Sequence, residues 1–282
     1  MFNEKRIKGF IIISLLLIES FVWIVNGPNN FWSFGFFDRS GGTIAEENTE
    51  NGGGPENKPA SEDPAGGDEP EDSQLYPPQD DRERMAALEE AAGKGLLILV
   101  NKENPIDRDH KPDDLEKIRY YAPDRSETTR YMRSEAADAF HRLVESAAME
   151  GVELKMTTAY RSYDFQKILY DGYVDREGEE AANKFSAKPG QSEHQTGLSA
   201  DVSSPSVDYQ LSNDYGRTAE GKWLADNAHR FGFIIRFPAG KETITGYQYE
   251  PWHVRYVGLT AAKEIHEQNL TLEEFLLLNG IE

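Results

Sequence analysis

Ten consecutive residues, Ser192-Glu193-His194-Gln195-Thr196-Gly197-Leu198-Ser199-Ala200-Asp201, set a histidine and an aspartate seven positions apart with a glycine between them. A second cluster follows at Glu250-Pro251-Trp252-His253. The two stretches supply two imidazoles, one carboxylate suited to binding a metal and one suited to moving protons. Three protein ligands beside an open position is the usual arrangement of a hydrolytic zinc ion. A fold that uses these residues must bring the two stretches together in space, so the rest of the chain is read as positioning, feeding or tethering that site.

The chain has 282 residues, enough for one sizeable domain or two small ones plus appendages. Only 38% are hydrophobic, which indicates that part of the chain is not packed. A net charge of −20 argues against nucleic acid as a partner, because phosphate binding needs clustered Lys and Arg. Cysteine is absent, which excludes disulfides, Cys-ligated zinc, thiol nucleophiles and a lipidated Cys.

Lys5, Arg6 and Lys8 precede an apolar run from Gly9 to Val25 whose only charge is Glu19. A basic flank before such a run reads as a signal peptide or a membrane anchor oriented basic end inward. A spanning helix needs roughly 20 apolar residues, and this run is at the short end. No small-x-small cleavage site follows, and Phe31, Trp32, Phe34, Phe36 and Phe37 form an aromatic cluster suited to a membrane interface. Residues 1–40 are therefore expected to be a single-pass anchor with the remainder extracytoplasmic, or a signal whose cleavage would release a secreted protein. From Gly41 to Asp81, twelve acidic residues and one lysine contribute −11 of the −20. Gly and Pro recur there, and such a segment buries too little apolar surface to offset its ordering entropy. Residues 41–81 are expected to be a disordered, self-repelling spacer.

The pattern of residues 82–282 is that of a single folded domain. Helical spacing is expected over Arg82–Ala92, Ser134–Gly151, Tyr163–Val174, Glu179–Phe185, Thr218–Phe231, Leu259–Gln268 and Leu270–Leu278, with Ala137, Phe140, Leu143, Val144 and Ala147 on one face of the second. Strands are expected at Leu96–Val100, Val152–Thr158, Leu198–Val202, Phe233–Phe237 and Tyr247–Tyr256. Helices and short strands mix without regular βαβ alternation, which favours an α+β fold with a central, mostly antiparallel sheet flanked by helices.

Of the six histidines, His141, His229 and His266 fall in amphipathic helices and read as surface or satisfied core residues, and His110 lies in a charged loop. His194 stands apart because Gly197 allows a tight backbone turn between it and Asp201. On an extended or bent segment, His253 would face a metal while Glu250 approaches its bound water.

Tyr160-Arg161-Ser162 with Gln166, the stretch from Ser192 to Leu198 with Asp201, and Glu250-Pro251-Trp252-His253 together carry a family resemblance. In order and rough spacing they resemble the zinc D-alanyl-D-alanine carboxypeptidase family of the VanY type, which includes L,D-carboxypeptidases that trim peptidoglycan stem peptides. The resemblance covers about Leu96 to the C-terminus, and a family-typical Ala is replaced by Ser199. It implies a Zn2+ ion held by His194, Asp201 and His253, with Glu250 as general base. It implies that Arg161 stabilises the developing oxyanion or holds a substrate carbonyl or carboxylate; a structural ion pair is the alternative. Gln166 and Ser192 are expected to hydrogen-bond the substrate peptide, or else to be ordinary helix and loop polarity. Trp252 and Tyr249 are read as pocket walls or core, and Glu193 as a contact behind the metal ligands, a contact to a substrate amine, or a solvated charge. The implied partner is the peptidoglycan stem peptide, and a monomer is the expected state. An endopeptidase on the same scaffold and a non-catalytic wall-binding module are the competing readings.

Overall fold

The structure, a computed structural model, describes residues 80–281. The expected anchor and nearly all of the acidic spacer lie outside the described residues. Within them, no helix is long and apolar enough to cross a membrane.

Helix α1 (Asp81–Gly93) starts where the Asp80 carboxylate accepts the Glu83 amide at 2.9 Å, satisfying a donor that has no partner within the helix. A small antiparallel pair follows, β1 (Leu115–Lys117) against β2 (Tyr131–Arg133). Helix α2 (Ser134–Met149) buries Ala137, Phe140, Leu143, Val144 and Ala147, the stripe its 3.6-residue spacing predicts. Strand β3 (Lys155–Thr158) leads to α3 (Tyr163–Glu177), which is capped by the Ser162 hydroxyl accepting the Phe165 amide at 3.2 Å. Next come α4 (Glu179–Phe185), β4 (Ser199–Ser203) and α5 (Ala219–Asn227), the last continuing as a 3-10 turn to Phe231. Strand β5 (Phe233–Phe237), the single turn α6 (Glu242–Thr245), β6 (Glu250–Tyr256), α7 (Leu259–Glu267) and α8 (Leu272–Asn279) complete the domain. A reciprocal capping box starts α8: Thr271 Oγ1 accepts the Glu274 amide at 3.1 Å, and the Glu274 carboxylate accepts the Thr271 amide at 2.8 Å.

The central sheet runs β3-β4-β6-β5, every pairing antiparallel. Side chains alternate across a strand, so directly paired residues share a face. Ala200 pairs with Val254, and Phe233 with Tyr256. All four are buried, with the Phe233 ring edge-on to Phe140 of α2 at 6.2 Å and to Tyr256 at 5.2 Å. The opposite face carries Asp201 beside His253 and Ser199 beside Arg255. One face of the sheet thus makes the core against α2, and the other makes the chemistry.

Two strand expectations change. Leu96–Val100 forms no strand; the carbonyls of Leu96 and Ile98 instead accept hydrogen bonds from the buried Arg255 guanidinium at 2.9 and 2.8 Å. An apolar run signals burial as readily as it signals a ladder, and here Leu96, Leu97 and Val100 are buried without joining one. Strand β6 begins at Glu250 rather than Tyr247, because the chain turns at Gly246 (φ 73°) after α6.

Candidate metal centre

The 3-10 turn Glu193–Thr196 ends at Gly197, whose φ of 71° is left-handed. A β-carbon there would stand 2.9 Å from Leu115 Cδ2 and 3.2 Å from Arg133 Cγ. Conformation and close approach therefore both require glycine. The turn delivers His194, and β4 then carries Asp201 directly opposite His253 of β6. Sheet register thus joins two motifs that are more than fifty residues apart.

One ligand atom from each of His194, Asp201 and His253 lies within 4.8 Å of the others. All three residues are 5% exposed or less. His194 Nε2 is 3.4 Å from Asp201 Oδ2, and its Nδ1 faces the Ala159 carbonyl at 2.7 Å. His253 Nδ1 is 3.1 Å from Asp201 Oδ1 and 3.8 Å from Glu250 Oε2. The two rings stand nearly perpendicular, 4.9 Å apart.

The electrostatics suit a cation. Burial alone would raise the Asp201 pKa, but His194 and His253 overcome it and hold the carboxyl far below the usual range. Burial, helped by the Arg161 charge, lowers the His194 pKa to about 4, so its imidazole is neutral. Burial also disfavours a charge on His253, yet Asp201 and Glu193 outweigh it and raise its pKa to about 9. Asp201 on the Nδ1 side and Glu193 on the Nε2 side thus hold the ring protonated, and a metal would compete for Nδ1, the nitrogen that faces Asp201. Two imidazoles and a carboxylate, closely grouped and shielded from water, fit zinc.

Glu250 stands at the mouth of this group, its side chain 21% exposed. Burial is the main cause that raises its pKa to about 7; His253 opposes the rise and Asp201 adds to it. Arg161 follows Tyr160 out of the sheet and is tied by its amide to the His194 carbonyl at 3.1 Å. The residue is half-buried, its Nε is buried with no hydrogen-bond partner, burial lowers its pKa, and it makes no ion pair among the described residues. Gln166 is buried in the first turns of α3, its amide donating to the Ala187 carbonyl at 2.7 Å while Oε1 is left without a partner. Ser192 is buried just before the 3-10 turn, and its side chain does not cap it.

Other residues fall away from the centre. His141 accepts the Arg119 amide at 3.1 Å, a satisfied core histidine. His229 and His266 stack on each other at 3.8 Å, and His110 is exposed. Trp252 packs on the hydrophobic core, and Tyr249 and Pro251 line a separate cleft with Ile265 and His266. Glu193 is not a solvated charge: it is 3% exposed and paired with Arg236 and Arg255, both fully buried. Sequence reading passed over these two arginines. Their signal is a charge set within otherwise apolar strands, at Phe233-Ile234-Ile235-Arg236 and Val254-Arg255-Tyr256, where an unpaired guanidinium would not be tolerated.

A family model described as VanY, D-alanyl-D-alanine carboxypeptidase, matches residues 129–259. The Bacillus subtilis protein YodJ is 47% identical over 184 residues, which cover 64% of this chain and 67% of that protein. A D-alanyl-D-alanine carboxypeptidase of Enterococcus faecium is 35% identical over 67% of this chain, and the chain spans only 59% of that relative. Among solved structures, the LdcB LD-carboxypeptidase, whose structure addresses peptidoglycan recognition, is 47% identical with a TM-score of 0.62, covering 64% of this chain and 86% of its own. A vancomycin-resistance D,D-pentapeptidase VanY variant in complex with Zn(II) is 33% identical with a TM-score of 0.54, covering 64% and 98%.

Proposed function

The chain belongs to the VanY D-alanyl-D-alanine carboxypeptidase family, and from that premise we propose that it is a zinc-dependent carboxypeptidase removing the C-terminal D-alanine of peptidoglycan stem peptides. The observation that carries this reading is the grouping of His194, Asp201 and His253 within 4.8 Å, with the Glu250 carboxyl 3.8 Å from His253. His194, Asp201 and His253 would hold the ion. Zinc, when bound, polarises water and lowers its pKa toward about 7. Glu250 takes a proton from the attacking water and gives it to the amine nitrogen of the departing D-alanine, so one carboxyl serves as base and then as acid. Arg161 offers a desolvated, unpaired cation to the carbonyl oxygen as negative charge develops on it, or to the substrate's terminal carboxylate. Gln166 Oε1, buried without a partner, is suited to accept a peptide N–H, and Ser192 is the other expected substrate contact.

The greater likeness to LdcB than to the zinc-bound VanY variant favours the L,D reaction on tetrapeptide over the D,D reaction on pentapeptide. The test is to incubate the protein with both stem peptides, with and without chelator, and weigh the products. Chelator-sensitive loss of one alanine is expected, faster from the tetrapeptide. Failure to release D-alanine from either peptide refutes the reading, and internal fragments point to an endopeptidase. A stem-peptide substrate is consistent with a domain working outside the cell membrane, which residues 1–40 would tether there, or release as a secreted protein if they are cleaved. Recovery of the intact chain in a soluble fraction with no membrane fraction would count against the tether.

A further inference from the structure

Glu193 takes no part in the reaction above, yet both of its carboxylate oxygens are held by buried partners. Its Oε1 accepts Arg236 Nε at 2.7 Å and Arg255 Nη1 at 2.8 Å. Its Oε2 accepts the Ser199 hydroxyl at 3.2 Å and lies 3.5 Å from His253 Nε2. Neither arginine is free to swing. Arg236 is gripped by the Glu273 carboxylate of α8 at 2.9 and 2.6 Å, and Arg255 by the carbonyls of Leu96, Ile98 and Tyr256.

A neutral imidazole that turns one nitrogen's lone pair to a metal carries its proton on the other nitrogen. For His194 the proton belongs on Nδ1, where the Ala159 carbonyl receives it at 2.7 Å, and Nε2 is left facing Asp201. For His253 the roles reverse: Nδ1 faces Asp201 and Glu250, so the proton belongs on Nε2. That nitrogen is buried, has no hydrogen-bond partner, and faces one acceptor, Glu193 Oε2.

We propose that Glu193 is a positioning residue that fixes His253 in the tautomer with a bare Nδ1, with Arg236, Arg255 and Glu273 of the C-terminal helix holding that carboxylate in place. The inference rests on the zinc reading and deepens it, since a carboxylate behind a ligating imidazole raises its basicity as well as orienting it. Ser199 thereby gains a role, donating to the one oxygen of Glu193 that neither arginine occupies.

The test is Glu193→Gln in the full chain, with zinc affinity read by chelator competition. The glutamine carbonyl must stay on the arginine side, so its NH2 meets the Nε2–H of His253, donor against donor. The ring then favours a proton on Nδ1, the nitrogen the metal needs, and zinc affinity is expected to fall about 10- to 100-fold. A folded variant that binds zinc within about twofold of the parent overturns the proposal. Should the variant not fold, 15N-histidine spectra of the zinc-loaded parent decide. One histidine protonated on Nε2 and bound through Nδ1 supports the assignment, and two histidines both bound through Nε2 overturn it. A parent that takes up no zinc sinks the proposed function as well, which separates the two failures.

Discussion

At the scale of single residues, burial sets the working state of Glu250. Burial raises its pKa to about 7 against the pull of His253 and Arg161, and a bound metal ion would draw it lower. As a base it must be ionised, so turnover should rise with pH through that pKa and fall on acidification. A kcat/KM profile taken with zinc in excess is expected to show an acid limb with its midpoint below pH 7. A rate that is flat or climbing from pH 7 to pH 5 would remove Glu250 from the proton path. The substitution Glu250→Gln keeps the shape and removes the base, so turnover should drop at least about 100-fold while zinc, measured by metal analysis, stays bound. Glu250-Pro251-Trp252-His253 pointed to the residue only through its family resemblance; on a regular strand positions three apart face opposite sides, and it is the irregular pairing of β6 with β5 near Phe237 that accompanies the approach of Glu250 to within 3.8 Å of His253. The state of Glu193 was not legible, since nothing local in Ser192-Glu193-His194 announces two arginines arriving from β5 and β6.

At the scale of elements, the site depends on a turn and a register. Gly197 ends the 3-10 turn in a left-handed conformation, packed against Leu115 and Arg133. Gly197→Ala should cost about 1–2 kcal/mol from backbone conformation alone, and more from the contact at 2.9 Å with Leu115 Cδ2. The displaced turn moves His194 relative to Asp201, so a lowered melting temperature should be accompanied by weakened zinc binding. Unchanged zinc affinity would show that β4 holds the ligands without help from the turn. The helices were readable in advance because periodicity and caps lie within each segment, as with the stripe on α2. The short strands β1 and β2 were not, because each is three residues long and is defined by its partner.

At the scale of the whole molecule, α8 is tied to the metal centre through charge. Glu273 grips Arg236, Arg236 grips Glu193, and Glu193 faces His253. Glu273→Gln leaves a buried guanidinium with one carboxylate in place of two, and is expected to destabilise the domain by about 1.5–3 kcal/mol in denaturant unfolding. A change below about 0.5 kcal/mol would mean that Glu193 alone satisfies the Arg236 charge. Residues 41–81 carry twelve acidic side chains and one lysine, so just over half of the net charge of −20 lies in that stretch.

The sequence by itself determined which side chains are candidates for holding a metal, where most of the helices run, and that the sheet is mostly antiparallel, because residue type, apolar period and capping are local properties. Only the tertiary structure decided which nitrogen of each histidine faces Asp201, that Leu96–Val100 serves a guanidinium instead of a strand, and that Glu193 is locked behind His253. Those facts depend on distances between segments that are far apart along the chain, and such distances are fixed by sheet register and packing.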